Sequence, residues 1–118
     1  MDLLLFNSHN EISEISKEIA SLFQNFNLND NDSRNVFTGS YYFICIIGIK
    51  IKIEYNSYDY EDKFKYMISI KKDYSSKLKI SPKSLELFSK ILIDLLRNNL
   101  NIDIAYEVDG NLIFYKNS

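Results

Sequence analysis

Tryptophan is absent, and the 118 residues hold only one cysteine, one histidine, one proline and three glycines. A single cysteine, Cys45, excludes an intrachain disulfide framework and fits a reducing compartment. One cysteine and one histidine, His9, are too few for an N/S-rich zinc site. No glycine-rich loop precedes a helix, so the sequence offers no cradle for phosphate. No run approaches the ~20 apolar residues needed to cross a bilayer. Met1 to Phe6 is apolar but brief, and no basic segment precedes it, so it does not read as a signal peptide. Charge of either sign is not in surplus: 14 basic and 16 acidic residues give a formal net charge of -2. A protein that binds by neutralising phosphates needs a basic excess, and a nucleic-acid mimic needs a far larger acidic one. The expectation is a soluble cytoplasmic protein without metal or cofactor.

What the chain does have is apolar and aromatic material. Hydrophobic residues make up 46%, and the aromatics are nine tyrosines and eight phenylalanines. Tyrosine joins an apolar ring to a polar tip and serves cores and contact surfaces alike. Abundant Ile, Asn, Lys and Tyr beside little Gly and Pro also matches the product of an AT-rich gene, which discounts any single Lys or Asn as a functional signal. No linker or composition break divides the chain, so residues 1–118 read as a single α+β domain.

The periodicity lays out the elements. Ser8 with Glu11 has the form of a capping box, which opens a first helix. Ile12, Ile15, Ile19, Leu22, Phe23 and Phe26 recur at helical spacing. Residues 25–35 are rich in Asn, Asp and Ser and read as loop. From Tyr41 to Tyr55 the chain is β-prone: Ile47, Ile49, Ile51, Ile53 and Tyr55 point one way, Lys50, Lys52 and Glu54 the other. Within it, Tyr42 to Ile46 is apolar on both faces and should be covered on both sides, with Gly48 as a bulge. A polar turn at 56–62 leads to a second strand over Lys63 to Lys72. Ser81-Pro82 starts a second helix, with Ser as N-cap and Pro at the first helical position. Its stripe is Leu85, Phe88, Leu92, Leu95 and Leu96, widened by Leu87 and Ile91. A final hairpin turns at Asp109-Gly110 and pairs Val108 with Asn111, Tyr106 with Ile113 and Ile104 with Tyr115. The order is α-β-β-α-β-β, with an optional strand at Leu3 to Phe6. Two helices on one face of a four- or five-stranded antiparallel sheet bury both apolar sets.

Catalytic chemistry finds little support. A Cys-His nucleophile pair needs Cys45 beside His9 in a cleft, yet Cys45 falls in the most apolar strand segment, where cysteine behaves as a small hydrophobe. Asp30-Asn31-Asp32 opens like a calcium loop but fails it, because Asn35 stands where Gly is needed and Tyr41 where a bidentate Glu is needed. The expectation is a protein without enzymatic activity.

Two surfaces stand out. Tyr58-Asp59-Tyr60-Glu61-Asp62 interleaves two aromatics with three acids at a hairpin tip, where tyrosine can anchor an interface and acids can steer a basic partner. The plainer reading is an ordinary charged turn. The second is the lysine series Lys50, Lys52, Lys63, Lys65, Lys71 and Lys72, with Lys77 and Lys79 beyond it. On one sheet face it would hold a nucleic-acid backbone, with aromatic rings for stacking. The plainer reading is a wet hairpin face protected from aggregation.

In size, composition and α+β layout the chain resembles the small immunity proteins that bacteria pair with secreted or contact-dependent toxins. That resemblance implies a protein partner, a toxin domain inhibited by covering its active site or substrate path. Toxins that act on nucleic acid are often basic, so Tyr58, Asp59, Tyr60, Glu61 and Asp62, together with Asp30 and Asp32, are the candidate contacts. The alternatives are a secretion-type chaperone for an effector, whose fold usually closes with a further helix where this chain has a strand, and a small nucleic-acid-binding module using the lysine face.

Overall fold

The computed structural model describes residues 2–23, 29–32, 40–57, 63–108 and 110–116. Elements follow in the order β1 (Asp2–Phe6), α1 (Ile12–Ser21), β2 (Asn29–Asp32), β3 (Ser40–Ile46), β4 (Ile49–Tyr55), β5 (Tyr66–Lys72), α2 (Pro82–Leu100), β6 (Ile104–Val108) and β7 (Asn111–Tyr115). Six antiparallel strands run β3-β4-β5-β1-β6-β7, and the short β2 extends the β3 edge to make seven among the described residues. The expected α+β character, antiparallel sheet and two helices are present. The expected four or five strands and the order α-β-β-α-β-β are not.

Two strands account for the difference. The optional segment at Leu3 to Phe6 is β1, and it sits in the middle of the sheet between β5 and β6. A strand covered on both faces should read as a continuous apolar run, and Leu-Leu-Leu-Phe does: Leu4, Leu5 and Phe6 are all 0% exposed. Asn29–Asp32, read as loop, is β2, in register with Ser40 to Phe43. Asn and Asp are poor strand formers, and here pairing with an existing edge outweighs propensity.

The helices share one face of the sheet. Leu4 and Phe6 of β1, Ile44 and Ile46 of β3, Ile49, Ile51 and Ile53 of β4, and Tyr66, Ile68 and Ile70 of β5 form one buried cluster with residues of α1 and α2. Burying a large apolar side chain contributes roughly 1.5–3 kcal/mol, so this cluster dominates the stability. Helix α1 starts later than a cap at Ser8 implied. Glu11 is the N-cap without a side-chain bond, and Ser8 Oγ instead accepts from the Asn10 N–H at 3.1 Å. Helix α2 starts as expected: Ser81 Oγ accepts from the Ser84 N–H at 3.1 Å, with Pro82 opening the helix. Leu85, Leu92 and Leu96 face the core, joined by Ile93, whereas Leu87 and Ile91 are exposed. No helix among the described residues is long and apolar enough to cross a membrane.

The β-prone run from Tyr41 to Tyr55 is two strands. Ile47 and Gly48 have φ of 45° and 79° and form a two-residue hairpin turn, so Gly48 is not a bulge. Ile47 is therefore 73% exposed while Ile49, Ile51 and Ile53 are buried. The opposite side of β3 is not covered as expected: Cys45 is exposed, and Phe43 lies under the Lys50 ammonium, 4.4 Å from its ring centre. The final hairpin has the register read from Asp109-Gly110, with Val108 opposite Asn111, Tyr106 opposite Ile113 and Ile104 opposite Tyr115.

Candidate functional site

Register places the ends of several elements together. Phe6 pairs with both Tyr66 and Ile104, and Tyr66 pairs with Tyr55. The exits of β1 and β4 and the starts of β5 and β6 thus meet at one end of the sheet. Two asparagines hold the described residues on either side of the β4–β5 connection. The Asn56 backbone N–H donates to the Lys65 carbonyl at 2.8 Å, and its side chain donates to the Phe64 carbonyl at 3.0 Å. Asn7 Nδ2 donates to the Lys63 carbonyl at 2.7 Å, while its Oδ1 accepts from the Lys65 N–H at 2.7 Å. Chain flanking the β4–β5 connection is therefore tied to β1 as well as to itself. Tyr66 adds a further tie, its hydroxyl donating to the Asn10 carbonyl at 2.6 Å.

Tyr58, Asp59, Tyr60, Glu61 and Asp62 lie outside the described residues, within the connection that these bonds flank. Asp30 and Asp32 stand on β2 rather than in a loop, opposite Tyr42 and Ser40. Tyr41 pairs with Glu54, so the Asp32 end of β2 is at the same end of the sheet as Tyr55. Two strand spacings, about 10 Å, separate β2 from β4. Beside the β4–β5 flank a cleft of about 680 Å³ opens between residues 7–10, Phe64 and residues 100–103. His9 is exposed there. Cys45 lies near the Ile47–Gly48 turn, opposite Lys50 at the far end of the sheet, so the two cannot form a nucleophile pair. No three of His, Cys, Asp and Glu converge on a possible metal position among the described residues.

The lysine series does not form one face. Lys50 and Lys71 are directly opposite one another on the helix-free face, which Lys52 shares. Lys52 lies 4.5 Å from the Tyr41 ring centre and 3.0 Å from Glu54 Oε2. With Lys50 over Phe43, two of these ammoniums already have intramolecular partners. Lys72 is opposite Ile49 and takes the alternate side. Lys63 and Lys65 precede β5 at the other end, and Lys77 and Lys79 are exposed in the segment after it.

An apolar cluster also lies on the helix-free face, beside Ser69 and Glu107. Leu3, Leu5, Met67 and Ala105 are buried there, with Phe64 and Leu112 packed against them. Phe64 and Phe114 lie with ring centres 6.4 Å apart. The Asn7 ties and this cluster were not legible in sequence, because they join distant segments; Asn7 and Lys65 are 58 residues apart.

No family model, curated protein or solved structure matches this chain.

Proposed function

We propose that this protein is a binding module for another protein, of the immunity type, which neutralises a cognate toxin by covering it. One observation carries the reading. The described residues on either side of the Tyr58–Asp62 connection and the Asp32 end of β2, remote in sequence, come to the same end of one sheet. Functional loops are characteristically carried by a rigid scaffold, and the Asn7 and Asn56 bonds supply one at both flanks. Tyrosines provide contact area at low entropic cost, and the acids favour encounter with a basic toxin domain. A nucleic-acid module is less well supported, since the lysines divide between faces and ends and two are held over rings of the same chain.

The test is association kinetics with the cognate toxin. Replacing Asp59, Glu61 and Asp62 together by Asn, Gln and Asn is expected to slow association about tenfold at low salt, with a weaker effect as salt rises. Thermal unfolding of the variant should match that of the parent. Unchanged association and affinity would show that a different surface makes the contact.

A further inference from the structure

Edge strands of folded proteins are ordinarily protected by a charge, a proline, a bulge or a covering segment. β7 has an unprotected composition. Asn111-Leu112-Ile113-Phe114-Tyr115 contains neither charge nor proline, and its register with β6 runs unbroken through five pairs. It ends the strand order, with no further strand beside it among the described residues. Phe114 is 65% exposed and Ile113 45%, on opposite faces. On the helix side the end of the strand is tied down, Arg97 Nε donating to the Lys116 carbonyl at 2.7 Å. That bond engages the Lys116 carbonyl, beyond the end of β7.

We propose that β7 pairs antiparallel with the β7 of a second copy, about a two-fold axis through Ile113. The hydrogen-bond pattern selects this register. Val108 and Asn111 close a two-residue connection and so form a hydrogen-bonded pair, from which the pattern alternates. Asn111, Ile113 and Tyr115 turn their backbone groups toward β6; Leu112 and Phe114 turn theirs outward. Centring the axis on Ile113 sets Leu112 opposite the partner's Phe114, and each such pair exchanges two backbone hydrogen bonds. Ile113 then faces the partner's Ile113 in the close, non-hydrogen-bonded position.

Self-pairing fits this strand for a reason of charge and a reason of continuity. A strand carrying a central charge would set like against like across a two-fold axis; the centre of this one sets Leu112 against Phe114 on one face and Ile113 against Ile113 on the other. On the helix-free face, Leu112 and Phe114 continue the cluster of Leu3, Leu5, Met67 and Ala105 up to the seam, where the partner's Phe114 extends it. Two five-residue edges with these side chains cover on the order of 700 Å², less than the ~1,200 Å² of a standard interface. The dimer is therefore a weak, exchanging one.

The test is cysteine crosslinking of the purified full chain in a Cys45→Ser background, beside sedimentation at increasing concentration. Ile113→Cys is expected to form a covalent dimer on mild oxidation. Its Cα atoms would lie about 4.5 Å apart, within the range of about 4.4–6.8 Å that a disulfide spans. Asn111→Cys should not crosslink, because its twin would be about 13 Å away along the strand. Phe114→Pro removes an outward donor that β6 does not use; it should raise the dissociation constant at least about tenfold and leave the monomer folded. A chain that sediments as monomer up to its solubility limit, or that crosslinks equally at 111 and 113, overturns the proposal. Both readouts use the isolated chain, so they stand apart from any toxin-binding result.

Discussion

Tyr106 is 1% exposed, and its hydroxyl donates to Asp2 Oδ2 at 2.8 Å. Ser89 Oγ donates to the same oxygen at 2.7 Å. This one carboxylate joins the start of β1 to β6 and to α2. Burial first, and then Asp2, push the Tyr106 phenol well above its ordinary 10.0. The neutral ring is favoured by folding, so its contribution is complete below about pH 10 and is lost as pH rises further. Tyr106→Phe removes a charge-assisted bond and should cost about 1.5–3 kcal/mol in a urea titration at neutral pH. The variant should also lose less stability than the parent between pH 9 and 11. Ser16 shows the opposite economy. Its hydroxyl is buried in α1 with no hydrogen-bond partner among the described residues. Ser16→Ala is expected to raise stability by about 0.5–1.5 kcal/mol, read as a higher denaturation midpoint.

Elements with a local signal were legible from sequence, and those decided by long-range pairing were not. Ser81-Pro82 starts α2 and Asp109-Gly110 turns the last hairpin because the chemistry that forms each lies within four residues. The Ile47–Gly48 turn has no Asn-Gly or Asp-Gly pair to announce it, and unbroken isoleucine alternation disguises it as strand. Its cost is visible at Gly48, where φ is 79° and an added Cβ would lie 3.1 Å from Leu78 Cβ and 3.2 Å from Ile80. The turn also anchors the next segment, the Asp73 N–H donating to the Gly48 carbonyl at 2.8 Å. Gly48→Ala combines an unfavourable φ with a crowded contact and should destabilise by about 1–3 kcal/mol. Hydrogen exchange in that variant should quicken at residues 73–80 as well as in the turn. The apolar stripe of α2 is narrower than its sequence pattern for a related reason: Leu87 and Ile91 have helical spacing but are exposed, since only the tertiary arrangement decides how wide a stripe the sheet covers.

At the scale of the whole molecule, the sequence indicated the α+β class and a shared helix face but not the sheet order. β1 decides that order by entering between β5 and β6, a placement that no local pattern encodes. The candidate contacts were legible as composition only. Tyr58 to Asp62 carry an acidic, aromatic signal in sequence. What gives that signal a setting is the meeting of β2, the β4–β5 flanks and the cleft at one end of the sheet. Binding of a protein partner at this end of the sheet is checked by tagged capture from the native host with nuclease present and at moderate salt. Growth is then followed when the captured protein is expressed with and without this chain. One stoichiometric protein is expected, its toxicity lost on co-expression and its capture slower once Asp59, Glu61 and Asp62 are neutralised. Recovery of RNA or DNA alone, released by salt, would contradict binding of a protein there.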